Sequence, residues 1–378
     1  MEPISLLKNI KTPAYIIDEA SLIDNLCLLS EVASAASCKV LLAQKAFSLY
    51  SLYPLISRYL CGTAASGLYE ARLGHDHFGG ETHVFSPAYT DNDFSELLSF
   101  ADHIVFNSFS QWEKFRGRAI SAGKICGIRV NPECSTQDHA IYDPCSPFSR
   151  LGVTRENFRP EMLEGITGLH FHTLCEQDSD ALETTLAVFE KKFGEFLPQM
   201  KWVNFGGGHH ITRPGYDVDR LISLIRHFRG KYNLEVYLEP GEAVGLNAGY
   251  LAASVIDIID NKMPIAILDT SAACHMPDIL EMPYRPRIID AGKPGEKKYN
   301  VRLGGPSCLA GDILGDYSFD RPLATGDVLL FCDMAIYTMV KNNTFNGIPL
   351  PDIAILSVDG TLSTVRSFGY EDFRSRLS

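Results

Sequence analysis

Short apolar runs of strand length recur through the first two thirds of the chain, and between them apolar residues return at helical spacing. The runs are Lys39–Ala43, Gly62–Ala65, Thr82–Phe85, His103–Phe106, Ile125–Val130, Gly165–Phe171, Trp202–Phe205 and Glu235–Leu238. The segments between them, such as Asp180–Leu197 and Asp217–Arg229, have the length and periodicity of helices. Strands alternating with helices predict a parallel sheet joined by crossovers. Eight such units predict a (β/α)8 TIM-like barrel, whose functional groups gather where the strands end. A doubly wound sheet is the competing arrangement, but the first strand–helix turn lacks its glycine fingerprint.

After about Ala248 the texture changes. Helical periodicity fades, and β-rich runs stand between Gly and Pro turns: Val255–Ile259, Ile265–Asp269, Val328–Asp333 and Ile353–Val358. These predict a second, mostly antiparallel β-domain, with the early run Ala14–Asp18 as a candidate strand of it. The expected division is a barrel over residues 19–245 and a β-domain built from 1–18 and 246–378.

Composition narrows the partners. The formal charge of −12 argues against a nucleic-acid backbone and mildly favours a cationic substrate. No run of about 20 apolar residues exists to span a membrane. The opening Met1-Glu2-Pro3-Ile4 has no secretory pattern, so a cytoplasmic location is expected. The 10 cysteines are scattered without a C-x-x-C pair, so they signal buried thiols in a reducing compartment rather than a zinc or redox motif.

The candidate chemistry falls just after the strands. Lys45 ends an apolar strand, where partial burial would lower its pKa as an amine nucleophile requires; taken alone, it reads first as an exposed lysine. Gly206-Gly207-Gly208 suits either a backbone anion site or a tight turn needing positive φ. His209 and His210 follow, and His170 and His172 share one strand face, which raises the question of a metal. No matching carboxylate pattern accompanies them, so no metal is expected; one imidazole could instead lie flat on an aromatic cofactor or fill the core. Glu239 would be a carboxylate at the barrel mouth in need of a cationic partner, or half of a structural salt bridge. An amine, an anion nest, a stackable imidazole and a carboxylate together meet the needs of pyridoxal phosphate.

With these residues in place, the sequence resembles the alanine-racemase-fold (fold type III) pyridoxal-phosphate decarboxylases of ornithine, diaminopimelate and carboxynorspermidine. The resemblance runs from Thr12-Pro13-Ala14-Tyr15 to Phe345-Asn346-Gly347. It implies a head-to-tail homodimer with shared active sites, and a β-domain that takes in the N-terminal strand. It implies Lys45 as the lysine that carries the cofactor, His172 as the ring-stacking histidine, Gly206, Gly207 and Gly208 as the phosphate loop, and Glu239 as the carboxylate at the pyridine nitrogen. Gly305-Pro306-Ser307-Cys308 resembles the motif whose cysteine reaches in from the partner subunit to return a proton after CO2 leaves. A thiol, mostly protonated at neutral pH, suits that task. Asp333-Met334-Ala335-Ile336-Tyr337-Thr338 resembles the motif whose tyrosine contacts the phosphate. Composition alone would make Cys308 a core thiol and Tyr337 a core aromatic.

Within this family the details resemble the carboxynorspermidine and carboxyspermidine branch. Relatives acting on ornithine and diaminopimelate read Glu-Pro-Gly-Arg, whereas this chain reads Glu239-Pro240-Gly241-Glu242, an acid in place of a phosphate-side arginine. Leu309 follows Cys308 where a substrate-binding acid is normal, so the distal amine must be read elsewhere. The run Ser271–Tyr284 looks characteristic of the branch and supplies Asp278 and Glu281. Glu242, Asp278 and Glu281 are thus the candidate partners of a cationic carboxypolyamine, with surface salt bridges as the plain alternative for the last two. The implied reaction is decarboxylation to norspermidine or spermidine. The alternatives are a diaminopimelate decarboxylase, less readily an amino-acid racemase, and an inactive homologue acting as a binding protein, which would be expected to lack Lys45 or Cys308.

Overall fold

The computed structural model describes residues 10–137 and 139–378; the Met1–Ile4 segment read above for a leader lies outside them. The chain divides into two compact units, Asn25–Val244 and a second made of the described residues up to Asp24 with Gly245–Ser378.

After the first strand, β1 (Ala14–Asp18), eight strands form the first unit's sheet: β2 (Lys39–Ala43), β3 (Gly62–Ala65), β4 (Glu81–Phe85), β5 (His103–Phe106), β6 (Ile125–Arg129), β7 (Ile166–His170), β8 (Trp202–Asn204) and β9 (Glu235–Leu238). They close into a barrel in chain order, every pairing parallel, with Lys39 beside Tyr237 and Val40 beside Leu238 completing the ring. The predicted barrel is therefore present. Its strands are short apolar runs because parallel strands are covered on both faces; every residue of β3 and β5 is buried. Helix starts follow local capping chemistry: the side chains of Thr90, Ser108 and Asp217 accept the backbone N–H of Asp93, Gln111 and Arg220. Asn233 ends the helix Val218–Tyr232 in a left-handed conformation.

Inside the barrel, Leu41, Ala64, Val105, Trp202 and Tyr237 form one cluster. Trp202 fits only because two facing positions lack side chains. A Cβ on Gly168 would lie 2.0 Å from its indole, and one on Gly127 2.4 Å. Packing at this density sets the layer on which the strand-end residues stand.

The second unit is a sheet of β1 with β10 (Gly249–Asp260), β11 (Pro264–Leu268), β12 (Tyr299–Gly304), β13 (Ile313–Phe319), β14 (Val328–Cys332), β15 (Asp352–Leu356) and β16 (Leu362–Arg366). Its order is β13-β12-β11-β10-β1-β15-β16, with β14 also on β10. Only the β1–β15 and β11–β12 pairs are parallel, so this is the mostly antiparallel domain expected, N-terminal strand included. Ile16, Ala252, Leu330, Ala354 and Leu356 form a core cluster. Among the described residues no helix is long and apolar enough to cross a membrane.

Candidate active site

The C-terminal ends of the barrel strands bring together the residues that bear chemistry. Lys45 stands two positions beyond β2, and its Nζ lies 3.4 Å from His172 Nε2, just past β7. The other ring nitrogen, His172 Nδ1, accepts the Gly207 N–H at 2.8 Å. A backbone amide can only donate, so Nδ1 carries no hydrogen and neutral His172 must carry it on Nε2. That hydrogen then points at Lys45, which accepts it only as a free amine. Burial gives the same answer: it pushes the Lys45 ammonium below its ordinary range, opposed by the nearby Glu239 carboxylate and assisted by Arg129. Burial, with the charge of Arg129, also holds His172 well below the usual histidine range.

Glu239 follows β9 directly. Burial alone would raise its pKa, but His170 and a hydrogen bond from Asn204 outweigh it and hold the carboxyl down as an anion. Asn204 Nδ2 donates to Oε1 at 2.7 Å, and His170 Nε2 lies 3.4 Å from Oε2. His170 itself is kept neutral by burial. Lys45, His172, His170 and Glu239 share one small recess of about 50 Å³. A larger cavity of about 500 Å³ opens beside it, lined by Lys45, Phe85, Arg129, His172 and the loop from Ala140 to Leu151.

The glycine loop has tighter reasons for its composition than ligand approach alone. Gly206 and Gly208 have φ of +72° and +83°. A Cβ on Gly206, Gly207 or Gly208 would lie 2.4, 2.4 and 1.9 Å from the carbonyls of Phe171, Glu239 and Leu174 respectively. Two of the three amides are already engaged: Gly206 N–H with Asn204 Oδ1 at 2.8 Å, and Gly207 N–H with His172. Glu242 opens the short helix Glu242–Gly245, its Oε1 3.4 Å from His210 Nε2.

The remaining expected residues lie on the second unit. Cys308 is exposed, with its Sγ 3.1 Å from Asn346 Oδ1. Tyr337 has a φ of +22°. Asp278 and Glu281, one turn apart on the helix Asp278–Glu281, are both paired with Lys341.

Sequence inspection missed Arg129, a buried side chain closing β6. Its guanidinium sits 4.5 Å from the centre of the Phe85 ring and donates to the His172 carbonyl at 3.2 Å. Burial lowers its pKa to about 10. The signal was the one that marked Lys45: a cation ending an apolar run. Asn204, the donor to Glu239, was missed too. At the opposite strand ends, Glu81, His83 and His103 bring possible metal-ligand atoms within 4.8 Å of one another. Yet Lys39 Nζ bonds Glu81 Oε1 at 2.6 Å, and the two imidazoles stack 3.8 Å apart at 11°. The in-plane lone pairs of parallel rings run side by side instead of converging on an ion, so the cluster reads as an interior polar network.

Comparison with known proteins agrees with this geometry. The family model described as "Pyridoxal-dependent decarboxylase, C-terminal sheet domain" matches residues 14–335. The chain is 45% identical to a carboxynorspermidine/carboxyspermidine decarboxylase of Campylobacter jejuni, over 98% of this chain and 99% of that protein. It is 44% identical to a carboxyaminopropylagmatine decarboxylase of Synechocystis, over 98% of this chain and 96% of that one. The crystal structure of carboxynorspermidine decarboxylase complexed with norspermidine from Campylobacter jejuni superposes with a TM-score of 0.91 at 44% identity, covering 97% of this chain and all of that one. A diaminopimelate decarboxylase of Haemophilus influenzae is more distant, at 26% identity over 63% of this chain and 62% of that protein. A closed barrel with a lysine amine, an imidazole and a buried carboxylate at its strand ends, in a chain with these relatives, is a carboxy-lyase and belongs to the pyridoxal-dependent decarboxylase family.

Proposed function

We propose that this chain removes the α-carboxylate of a carboxypolyamine as CO2, leaving norspermidine or spermidine, with pyridoxal phosphate held at the barrel mouth. The observation that carries the proposal is the Lys45 amine facing His172 in a recess shared with Glu239. It is supported by end-to-end similarity to an enzyme of that name. The residues present fit the cofactor. Lys45 offers an unprotonated amine for its aldehyde, His172 a neutral ring for its face, and Glu239 an anion for its ring nitrogen. When bound, pyridoxal phosphate supplies an electron sink for the pair left as the carboxylate departs.

The chain's own groups then do the positioning and proton work. Glu239, held by Asn204 and His170, keeps a proton on the ring nitrogen. Tyr337 and the Gly206-Gly207-Gly208 loop hold the phosphate. Cys308 returns a proton to the α-carbon from the neighbouring subunit of a homodimer, its thiol steadied by Asn346. In this reading residues 19–245 form the cofactor-binding barrel, 1–18 with 246–378 form the β-domain, and the enzyme works in the cytoplasm. Glu242, Asp278 and Glu281 meet the protonated tail, each charge-assisted contact contributing roughly 1.5–3 kcal/mol. Lys341 is seated on Asp278 and Glu281, so a substrate ammonium must share or displace it.

A second substrate is favoured by the 44% identical relative: carboxyaminopropylagmatine, whose tail ends in a guanidinium that carboxylates pair with equally well. The test is CO2 release by the purified protein, supplied with pyridoxal phosphate and each of carboxynorspermidine, carboxyspermidine, carboxyaminopropylagmatine and meso-diaminopimelate. The expected result is turnover of the first two, abolished in Lys45→Ala. A preference for the agmatine derivative would replace the substrate and keep the chemistry. Preference for diaminopimelate would overturn the assignment of the three acids, and no release from any of them would overturn the proposal.

A further inference from the structure

We infer that His210, held by Glu242, is a cofactor-phosphate ligand that takes the place of the arginine missing from Glu239-Pro240-Gly241-Glu242; the inference rests on the proposed cofactor. The phosphate of pyridoxal phosphate is an anion that needs several donors. The glycine loop offers fewer than its composition promises, since the Gly206 and Gly207 amides are bonded to Asn204 and His172. Where a guanidinium would stand in the arginine-bearing relatives, this chain has a carboxylate, which by itself repels phosphate.

His210 stands two residues past Gly208 and is 8% exposed. Neither of its ring nitrogens makes a well-formed hydrogen bond among the described residues: Nε2 has only the 3.4 Å approach of Glu242 Oε1, and Nδ1 has nothing. A buried polar group left unmatched is costly, and a ligand that supplies an acceptor recovers the missing hydrogen bond. Its surroundings are built rather than incidental. The His210 N–H donates to the Gln177 carbonyl at 3.1 Å, and Thr212 Oγ1 ties the same segment to the Ala243 carbonyl at 2.7 Å. Gly241 brings the Glu242 turn hard against the end of β2, where a Cβ would lie 2.7 Å from the Ala46 methyl. These ties put Glu242 Oε1 3.4 Å from His210 Nε2. A carboxylate and a phosphate can both only accept, so a ring lying between them donates from both nitrogens as the imidazolium, Nε2–H to Glu242 and Nδ1–H to the phosphate. The acid that stands where the arginine would be thereby orients the phosphate donor.

The test compares equilibrium binding of pyridoxal phosphate and of pyridoxal, which lacks the phosphate, to the full-length apo-protein by absorbance titration. In His210→Ala and His210→Gln, binding of pyridoxal phosphate should weaken roughly tenfold or more, while that of pyridoxal stays within about twofold. Glu242→Gln should shift the same ratio in the same direction. Adding Glu242→Arg to His210→Ala should recover much of it. Equal weakening of both ligands would make His210 a packing residue and overturn the inference, as would no change in either. If the wild-type protein binds pyridoxal phosphate no better than pyridoxal, this inference falls alone; if it binds neither, the proposed cofactor falls and takes the inference with it.

Discussion

At the scale of single residues, the site turns on which nitrogen of His172 bears hydrogen. The Gly207 amide settles it by donating to Nδ1 at 2.8 Å, so Nε2–H faces Lys45 at 3.4 Å and favours the free amine. Burial acts in the same direction on Lys45. Two independent causes therefore lower the pKa of one ammonium, and the consequence is measurable without substrate. In the apo-protein, Lys45 should be modified by an amine-directed reagent at a lower pH than the bulk of the lysines, its rate reaching a plateau while theirs still climbs. Mass spectrometry of the labelled peptides over a pH series reads this directly. Labelling of Lys45 that tracks the other lysines would show an ordinary ammonium and remove the reason for its nucleophilicity.

At the scale of elements, Trp202 shows what holds the barrel layer in place. Gly168→Ala would set a methyl group 2.0 Å from its indole on a strand that cannot move without breaking pairings to both neighbours. The expected cost is about 3 kcal/mol or more, read as a fall in the denaturant midpoint. Gly230→Ala, in the helix Val218–Tyr232 with nothing within 4 Å of the new methyl, should instead stabilise by about 0.5–1 kcal/mol. The same contrast between enclosed and exposed elements explains what was legible in the sequence. All eight barrel strands could be read because burial on both faces makes each a short apolar run. Strands β12, β13 and β16 were missed: Tyr299–Gly304 has the alternation of a half-buried strand and could have been read, whereas Ile313–Phe319 is interrupted by Gly315 and Asp316 and Leu362–Arg366 is almost wholly exposed. Nor could the β1–β15 pairing be read, since Ala14 meets Asp352 across nearly the whole chain. In the site, Lys45, His172 and Glu239 were legible because each stands where an apolar run ends. The hold of Asn204 on Glu239, the seat of Lys341 on Asp278 and Glu281, and the stacked His83 and His103 depend on side-chain directions between distant elements, which no local pattern records.

At the scale of the whole molecule, the number of histidines kept neutral inside it sets how stability responds to acid. In the barrel, burial is the leading cause in each case. His103 is pushed down to about 2, with the charge of His83 assisting, and His209 to about 4 against the pull of the Phe205 and Gly206 carbonyls. His170 is lowered as well. In the second unit His275 is lowered to about 4. The unfolded chain protonates each of these near pH 6.5, whereas the folded chain does so only at the lower value. Between those limits the unfolded state binds more protons, so stability must fall as pH falls. Each such histidine contributes up to about 1.4 kcal/mol per pH unit between its folded value and 6.5, so His103 and His209 together contribute roughly 2–3 kcal/mol per unit near pH 5, and His170 and His172 add in the same direction. Both tryptophans, Trp112 and Trp202, lie in the barrel unit, so their fluorescence follows that unit alone. Denaturant unfolding followed by tryptophan emission should therefore show a midpoint nearly constant from pH 8 to 7 that drops steeply from pH 6 to 5. His103→Phe, which keeps an aromatic ring in the stack and removes the titration, should make this fall measurably shallower, by up to about 1.4 kcal/mol per pH unit. A midpoint that stays level down to pH 5 would mean that these imidazoles are charged, or reached by water, in the folded barrel.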